Sequence, residues 1–157
     1  MKEKQAMIPN TFDLKTKEEN LKRLENISIE TQTKWGKMNT PQVLAHLTVA
    51  YELALNENTP INRGFKRFII SLMAKKMVVG EKPYPKNGMT SPDFKISDQR
   101  DFAIEKAKLA TNINTVFEKG AKYFDGKESQ SFGPLSEKEW SNLFQKHLNH
   151  HLEQLGV

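Results

Sequence analysis

SEKEWSNLFQKHLNHHLEQLGV, residues 136–157, reads as one helix, and what it buries decides the fold. Ser136 followed three positions later by Glu139 is a capping box, in which each side chain satisfies a free backbone N–H of the first turn. At about 100° per residue from Trp140, the residues Leu143, Phe144, Leu148, Leu152 and Leu155 fall on an arc from about −60° to +120°. His147 and His151 lie inside that arc, at about −20° and +20°, and His150 lies at its edge, near −80°. Asn142, Gln145, Lys146, Asn149 and Glu153 take the other side, which is expected to face solvent. Two imidazoles four residues apart stack on neighbouring turns, with Cβ atoms about 6 Å apart, so both can reach one metal ion. HxxxH is also the zincin spacing, but Leu148 stands where HExxH has its glutamate, which removes the general base of a metalloprotease.

The fourth histidine, His46, sits in MNTPQVLAHL, residues 38–47. Thr40 can cap this helix, and Pro41 suits its first position, where a missing N–H costs nothing. The helix runs to about Asn56. On it His46 shares an apolar arc with Val43, Leu47, Ala50 and Leu53. Three histidines from two helices would make a three-nitrogen site with one position open, the pattern of catalytic rather than structural zinc. Imidazole suits several ions, so zinc, nickel and manganese all stay candidates. A single inward histidine is more often a hydrogen-bonded core residue. Three together shift the balance towards metal, because each would otherwise need its own buried partner.

Three other helical segments are expected. The first covers Thr16 to about Ile27, opened by a Thr16–Glu19 capping box and carrying Leu21, Leu24 and Ile27. A second covers about Asn62 to Val79, with Phe65, Phe68, Ile69, Leu72, Met73 and Val79 sharing one face and Arg63, Lys66 and Arg67 on the other. A basic amphipathic helix can lie on a membrane or a partner, but ordinary patterning favours a packed apolar face and a solvated basic one. The last covers about Asp98 to Phe124, capped by Ser97 or Asp98, with Phe102, Leu109, Ile113, Val116 and Phe117 inward. Between these two, residues 80–97 contain Pro83, Pro85 and Pro92, which forbid a regular helix. A connection of this length is often functional or packed across a site, and no ligand chemistry is visible in this one. No strand is expected. The reading is an all-α protein, a helix bundle in a single domain over 1–157.

Composition removes several functions. The chain has no cysteine, so disulfides, thiolate metal sites and cysteine nucleophiles are excluded. Its longest apolar run, FIISLMA, is far too short to span a bilayer, and no membrane partner is expected. MKEKQAMIPNTFDLK has no apolar leader region, so a cytoplasmic protein is expected. The net charge is +5, but the lysines are spread along the chain, which argues against a nucleic-acid partner. GAKYFDGKE is a poor P-loop, with Glu128 where serine or threonine is required, and no GxSxG elbow occurs. Trp35 and Trp140 read as core or pocket-wall aromatics.

WGKMNTPQVLAHL, SPDFKISDQRDF and FGPLSEKEWSNLFQKHLNHHLEQLG together resemble the DinB-like superfamily of metal-binding bundles, in a bacterial branch of unknown function. The resemblance spans roughly Thr16 to Gly156. It implies an up-and-down four-helix bundle with an additional short helix, and a metal triad of one histidine in the second helix and an HxxxH pair in the last. His46, His147 and His151 match that triad. Gln154 matches a glutamine three residues after the pair, and His150 is outside the pattern. Characterised members include bacillithiol S-transferases and a mycothiol-dependent isomerase. The resemblance therefore implies a divalent metal, a low-molecular-weight thiol and a small-molecule substrate. The competing expectation is a non-catalytic bundle, with a homodimer as the alternative use of its surface. Glu52 falls on the outer side of its helix, and no carboxylate is placed beside the histidines as a general base.

Overall fold

The computed structural model describes residues 7–157; Met1 to Ala6, part of the stretch read above as lacking a leader, lie outside the described residues. Among the described residues the regular structure is six α-helices, one π-helical and one 3-10 turn, and one two-stranded hairpin; the helices and strands are α1 (Leu14–Glu25), α2 (Thr40–Leu55), α3 (Gly64–Ile70), α4 (Lys76–Val79), α5 (Phe102–Phe124), β1 (Glu128–Ser129), β2 (Gly133–Pro134) and α6 (Glu137–Gln154). The expectation of a mostly helical protein holds. The hairpin, pairing Glu128 with Pro134 and Ser129 with Gly133, departs from the expectation of no strand.

Local chemistry explains most boundaries. Both histidine-bearing helices open with a complete capping box, Ser136 with Glu139 on α6 and Asn39 with Gln42 on α2. The α2 cap is Asn39 rather than Thr40, whose hydroxyl instead donates to the Thr31 carbonyl. Helix α1 starts earlier than expected, after Asp13, so Thr16 sits inside the helix, buried, and caps nothing. Helix α5 starts later, because Asp101 Oδ1 accepts from the Ile104 N–H while Arg100 pairs with both Asp98 and Glu105 and holds the preceding residues out of the helix. Near its end α5 breaks at Gly120, whose φ of +72° is left-handed and cheap only for glycine.

The core lies between α1, α2, α5 and α6, where α2 packs on α5 and α6, and α5 on α1 and α6. Leu44, Leu47, Leu109, Phe124, Phe144, Leu148 and Leu152 are each at most 1 % exposed. Tyr51 stacks on Phe144, and Phe144 in turn on Trp140. Each such aliphatic or aromatic side chain contributes roughly 1.5–3 kcal/mol of burial free energy.

Two expectations fail, for different reasons. Most of the polar side of α6 does not face water: Asn142, Gln145 and Lys146 are buried and Asn149 half-buried, and of the five only Glu153 is exposed. Gln145 exchanges two hydrogen bonds with Asn20 of α1, at 2.9 and 3.0 Å. Asn142 donates to the Val79 carbonyl, and the Lys146 ammonium donates to the carbonyls of Met77, Val78 and Gly80 at the end of α4. Along Asn142, Gln145 and Lys146, partners distant in sequence replace solvent; Glu153, on the same side near the helix end, stays exposed.

The second failure concerns residues 64–79. They form one continuous helical run, but its apolar stripe points outward: Phe65, Phe68, Leu72 and Met73 are 61–78 % exposed. The inward side is polar. Arg67 pairs with Glu128 at 2.8 Å, the Ser71 hydroxyl donates to the Ser131 carbonyl, and Lys75 pairs with Glu139. Ser71–Lys75, between α3 and α4, is a π-helical turn. Such a turn absorbs one extra residue, shifting all that follows by about 100°. That shift explains why Val79, on the stripe by regular helical spacing, is buried while its expected companions are exposed.

The Asn20–Gln145 pair gives a direct test. Asn20→Leu alone strands a buried amide and should cost about 1–3 kcal/mol in urea unfolding, whereas Asn20→Leu with Gln145→Met should recover most of that loss. An unchanged midpoint in the single variant would place Gln145 in solvent.

Candidate metal centre

His46 comes from the middle of α2, and His147 and His151 come from adjacent turns of α6. The wheel argument holds for all three: His46 and His151 are 4 % and 8 % exposed, and His147 is half-buried. Ring centroids lie 4.8 Å apart for His46–His147, 4.5 Å for His46–His151 and 4.9 Å for His147–His151. One ring nitrogen from each falls within 4.8 Å of the other two. A tetrahedral ion with bonds of about 2.0–2.1 Å needs nitrogens about 3.3 Å apart, so ring adjustments on the order of 1 Å would complete the set.

Hydrogen bonds fix two of the rings. His46 Nδ1–H donates to the Phe94 carbonyl at 2.7 Å, and His151 Nδ1–H donates to Gln154 Oε1 at 2.7 Å. With the proton on Nδ1, each ring turns the lone pair of Nε2 inward, the usual orientation of a metal-ligating histidine. Gln154 is anchored in turn, its amide donating to the Trp35 carbonyl at 2.7 Å. Gly36 makes room for that contact, since a Cβ there would stand 2.7 Å from Gln154 Nε2 and its φ is +85°. His147 Nε2 lies 2.8 Å from His46 Nε2. Two lone pairs cannot face each other at this distance. Since the His46 proton is on Nδ1, His147 Nε2–H is the donor in the metal-free protein.

All three rings are held neutral. Burial pushes His46 down, against the opposing pull of the Phe94 carbonyl. His147 is held well below its ordinary value by burial and by His151, His46 and His150 around it. His151 is lowered to about 3, chiefly by burial and then by His46. Neutral imidazole is the form that ligates.

The 80–97 connection packs across this centre, as its length suggested. Pro92–Phe94 forms a 3-10 turn that delivers the Phe94 carbonyl to His46 and its ring to within 6.2 Å of His147. The Tyr84 ring lies 6.4 Å from His147 and 5.8 Å from His150, and the Lys146 ammonium sits 4.7 Å from its centroid. Trp35 edges onto His150 at 5.7 Å and carries the Lys86 ammonium on its face. Trp35 is thus a wall of the site, while Trp140 is core. His150 stands beside the triad, half-buried, and Glu52 is exposed on the outer side of α2, as expected. Among the described residues, no aspartate or glutamate belongs to the cluster. The Phe94 carbonyl and the Tyr84 ring were not foreseeable as parts of the site; only the three prolines hinted that this segment is held in shape.

A mostly helical protein with a buried three-histidine cluster able to hold a metal ion is the class that these observations define. The chain belongs to the family described as protein of unknown function, DUF1569, whose model matches residues 5–156. No curated protein and no solved structure matches it.

Two outcomes follow. Gln154→Ala should lower affinity for a divalent ion by about 10–100-fold while His46 and His147 stay in place, as read by calorimetric titration. An unaltered affinity would remove Gln154 from the site. In the metal-free protein the unfolded chain takes up protons on these histidines below about pH 6.5, and the folded chain, where burial lowers all three, takes up fewer. Stability should therefore fall from pH 7 to pH 5.5, with a shallower slope in His147→Leu. Equal slopes would mean that His147 is not held neutral.

Proposed function

We propose that the chain is a single DinB-like domain, an up-and-down four-helix bundle of α1, α2, α5 and α6, and that it is a cytoplasmic, metal-dependent enzyme acting on a small molecule. His46, His147 and His151 are the ligands. The observation that carries the reading is that the Nδ1 protons of His46 and His151 are both engaged, on the Phe94 carbonyl and on Gln154, which aims Nε2 of each ring at a common point beside His147. Gln154 and the Phe94 carbonyl hold the rings in orientation and tautomer. Phe94, Tyr84 and Trp35 narrow the approach of water to the cluster.

When bound, a divalent ion with an open position supplies a Lewis acid that stabilises a thiolate. Transfer of a low-molecular-weight thiol to an electrophile is the favoured reaction. Hydrolysis ordinarily wants a general base beside the attacking water, and among the described residues no carboxylate joins this cluster. Zinc and nickel suit an all-imidazole donor set, and manganese, which favours oxygen ligands, is the weakest of the three candidates. The second reading is a non-catalytic bundle. It draws on the His46–His147 hydrogen bond, which partly satisfies the rings without an ion.

The test is elemental analysis of untagged protein purified without added metal. About one divalent ion per chain is expected from the three-ligand set, retained in His150→Ala and lost in His46→Ala and His147→Ala. Metal-loaded protein should then conjugate a small thiol to a model aryl halide, and the His147→Ala protein should not. No metal, and no uptake of zinc, nickel or manganese, would end the metal reading. Bound metal without thiol transfer would leave the passive one.

A further inference from the structure

The outward stripe of α3 and α4 has no role in the metal centre. Of the large hydrophobic side chains that stand exposed among the described residues, five belong to this one helical run: Phe65 (78 %), Phe68 (61 %), Leu72 (73 %), Met73 (76 %) and Met77 (46 %). Exposed apolar residues scattered singly need no explanation, but a contiguous stripe does. From Phe65 to Met77 it runs about 18 Å at 1.5 Å per residue. Regular amphipathic helices bury such a stripe. Here the opposite side is tied down by Arg67–Glu128, Ser71 to the Ser131 carbonyl, Lys75–Glu139 and the Lys146 grip on the end of α4. The helix is thus fastened by its polar side and presents its apolar side.

Charge identifies the occupant. Residues 58–80 contain five cations, Arg63, Lys66, Arg67, Lys75 and Lys76, and no acidic residue. Arg67 and Lys75 are used inward, while Arg63, Lys66 and Lys76 are exposed beside the stripe. Beyond Glu81, which pairs with Lys138, the next segment adds Lys82 and Lys86 and carries Met89 at 99 % exposure.

Against the expectation of no membrane partner, which rested on the lack of a spanning run, we infer that this helix docks the protein on the surface of an anionic lipid bilayer. Phe65, Phe68, Leu72 and Met73 enter the headgroup–acyl boundary, and Arg63, Lys66 and Lys76 meet lipid phosphates. Apolar side chains on one face with lysine and arginine at its flanks are what interfacial helices need, and each basic residue adds attraction to an anionic leaflet. A second copy of the chain fits less well. A two-fold pairing of the stripe would bring the same cations together with no acid in the segment to meet them. A protein groove that swallows the helix would have to surround a side already occupied by the hairpin and α6. The inference is independent of the metal reading.

The test is co-sedimentation of the full chain with vesicles of phosphatidylcholine containing roughly a third phosphatidylglycerol, against pure phosphatidylcholine, in moderate salt. Binding to the anionic vesicles is expected. It should fall about tenfold or more in Phe68→Ser with Leu72→Ser, and also in Lys66→Ser with Lys76→Ser. These side chains are exposed, so thermal unfolding should change little. The chain has no cysteine, which allows a second readout. A polarity-sensitive dye on Leu72→Cys should shift to the blue on anionic vesicles, and the same dye on Lys122→Cys of α5 should not. No binding to anionic vesicles, equal binding to neutral ones, or full binding by the Phe68/Leu72 variant would overturn the inference. So would a lipid-free dimer in sedimentation velocity that the Phe68/Leu72 variant dissolves, which would give the stripe to a second copy.

Discussion

Burial of α6 on three sides, including most of its polar side, is the constraint on which the rest depends. A polar side chain that no longer reaches water must be satisfied inside the protein, because an unpaired buried amide or ammonium costs more than a hydrogen bond returns. Gln145 does so through Asn20, Asn142 and Lys146 through the carbonyls that end α4, and His151 through Gln154. These bonds fix which element stands on each side of the helix: α1 opposite Gln145, α4 opposite Lys146, α2 and the 80–97 segment opposite the histidines. The metal centre is one sector of this arrangement, and its geometry inherits the rigidity of the other sectors.

Sequence reading reached the histidines because their signal is local. His147 and His151 are four apart on an apolar arc, His46 lies on a second such arc, and both helices announce their starts with capping residues. It did not reach the partners, because a buried polar residue looks like a solvated one until its partner is known. Asn20 lies 125 residues from Gln145, and the Phe94 contact to His46 is made by a main-chain carbonyl that any residue could supply. The apolar stripe from Phe65 to Met77 failed differently. A wheel divides a helix into two faces but does not say which one turns inward, and the answer lay with Glu128, Ser131 and Glu139, far along the chain. The resemblance to DinB-like proteins pointed to the same three histidines, and the family that the chain matches adds no chemistry to them.

The two surfaces of interest are not separate in the structure. Lys146, one residue before His147, holds the last carbonyls of α4 with its ammonium and lies over Tyr84, whose ring faces His147 and His150. The outward helix, the segment over the histidines and the helix that carries two of them therefore meet at one side chain. Burial lowers the pKa of that ammonium to about 8, and its three carbonyl partners supply the hydrogen bonds water would have given.

The π-helical turn at Ser71–Lys75 acts as the phase setting between these parts. Structurally it is one residue inserted into an otherwise regular helix. Shortening the chain by a single residue there would leave a perfectly good α-helix, yet everything after it would be rotated by about 100° and drawn back by one step. Val79 would leave the core, the carbonyls that Lys146 holds would point elsewhere, and Tyr84 and Phe94 would no longer arrive over the histidines. In lineages of this protein, length in that stretch should then be far less free to vary than the identity of the residues that fill it.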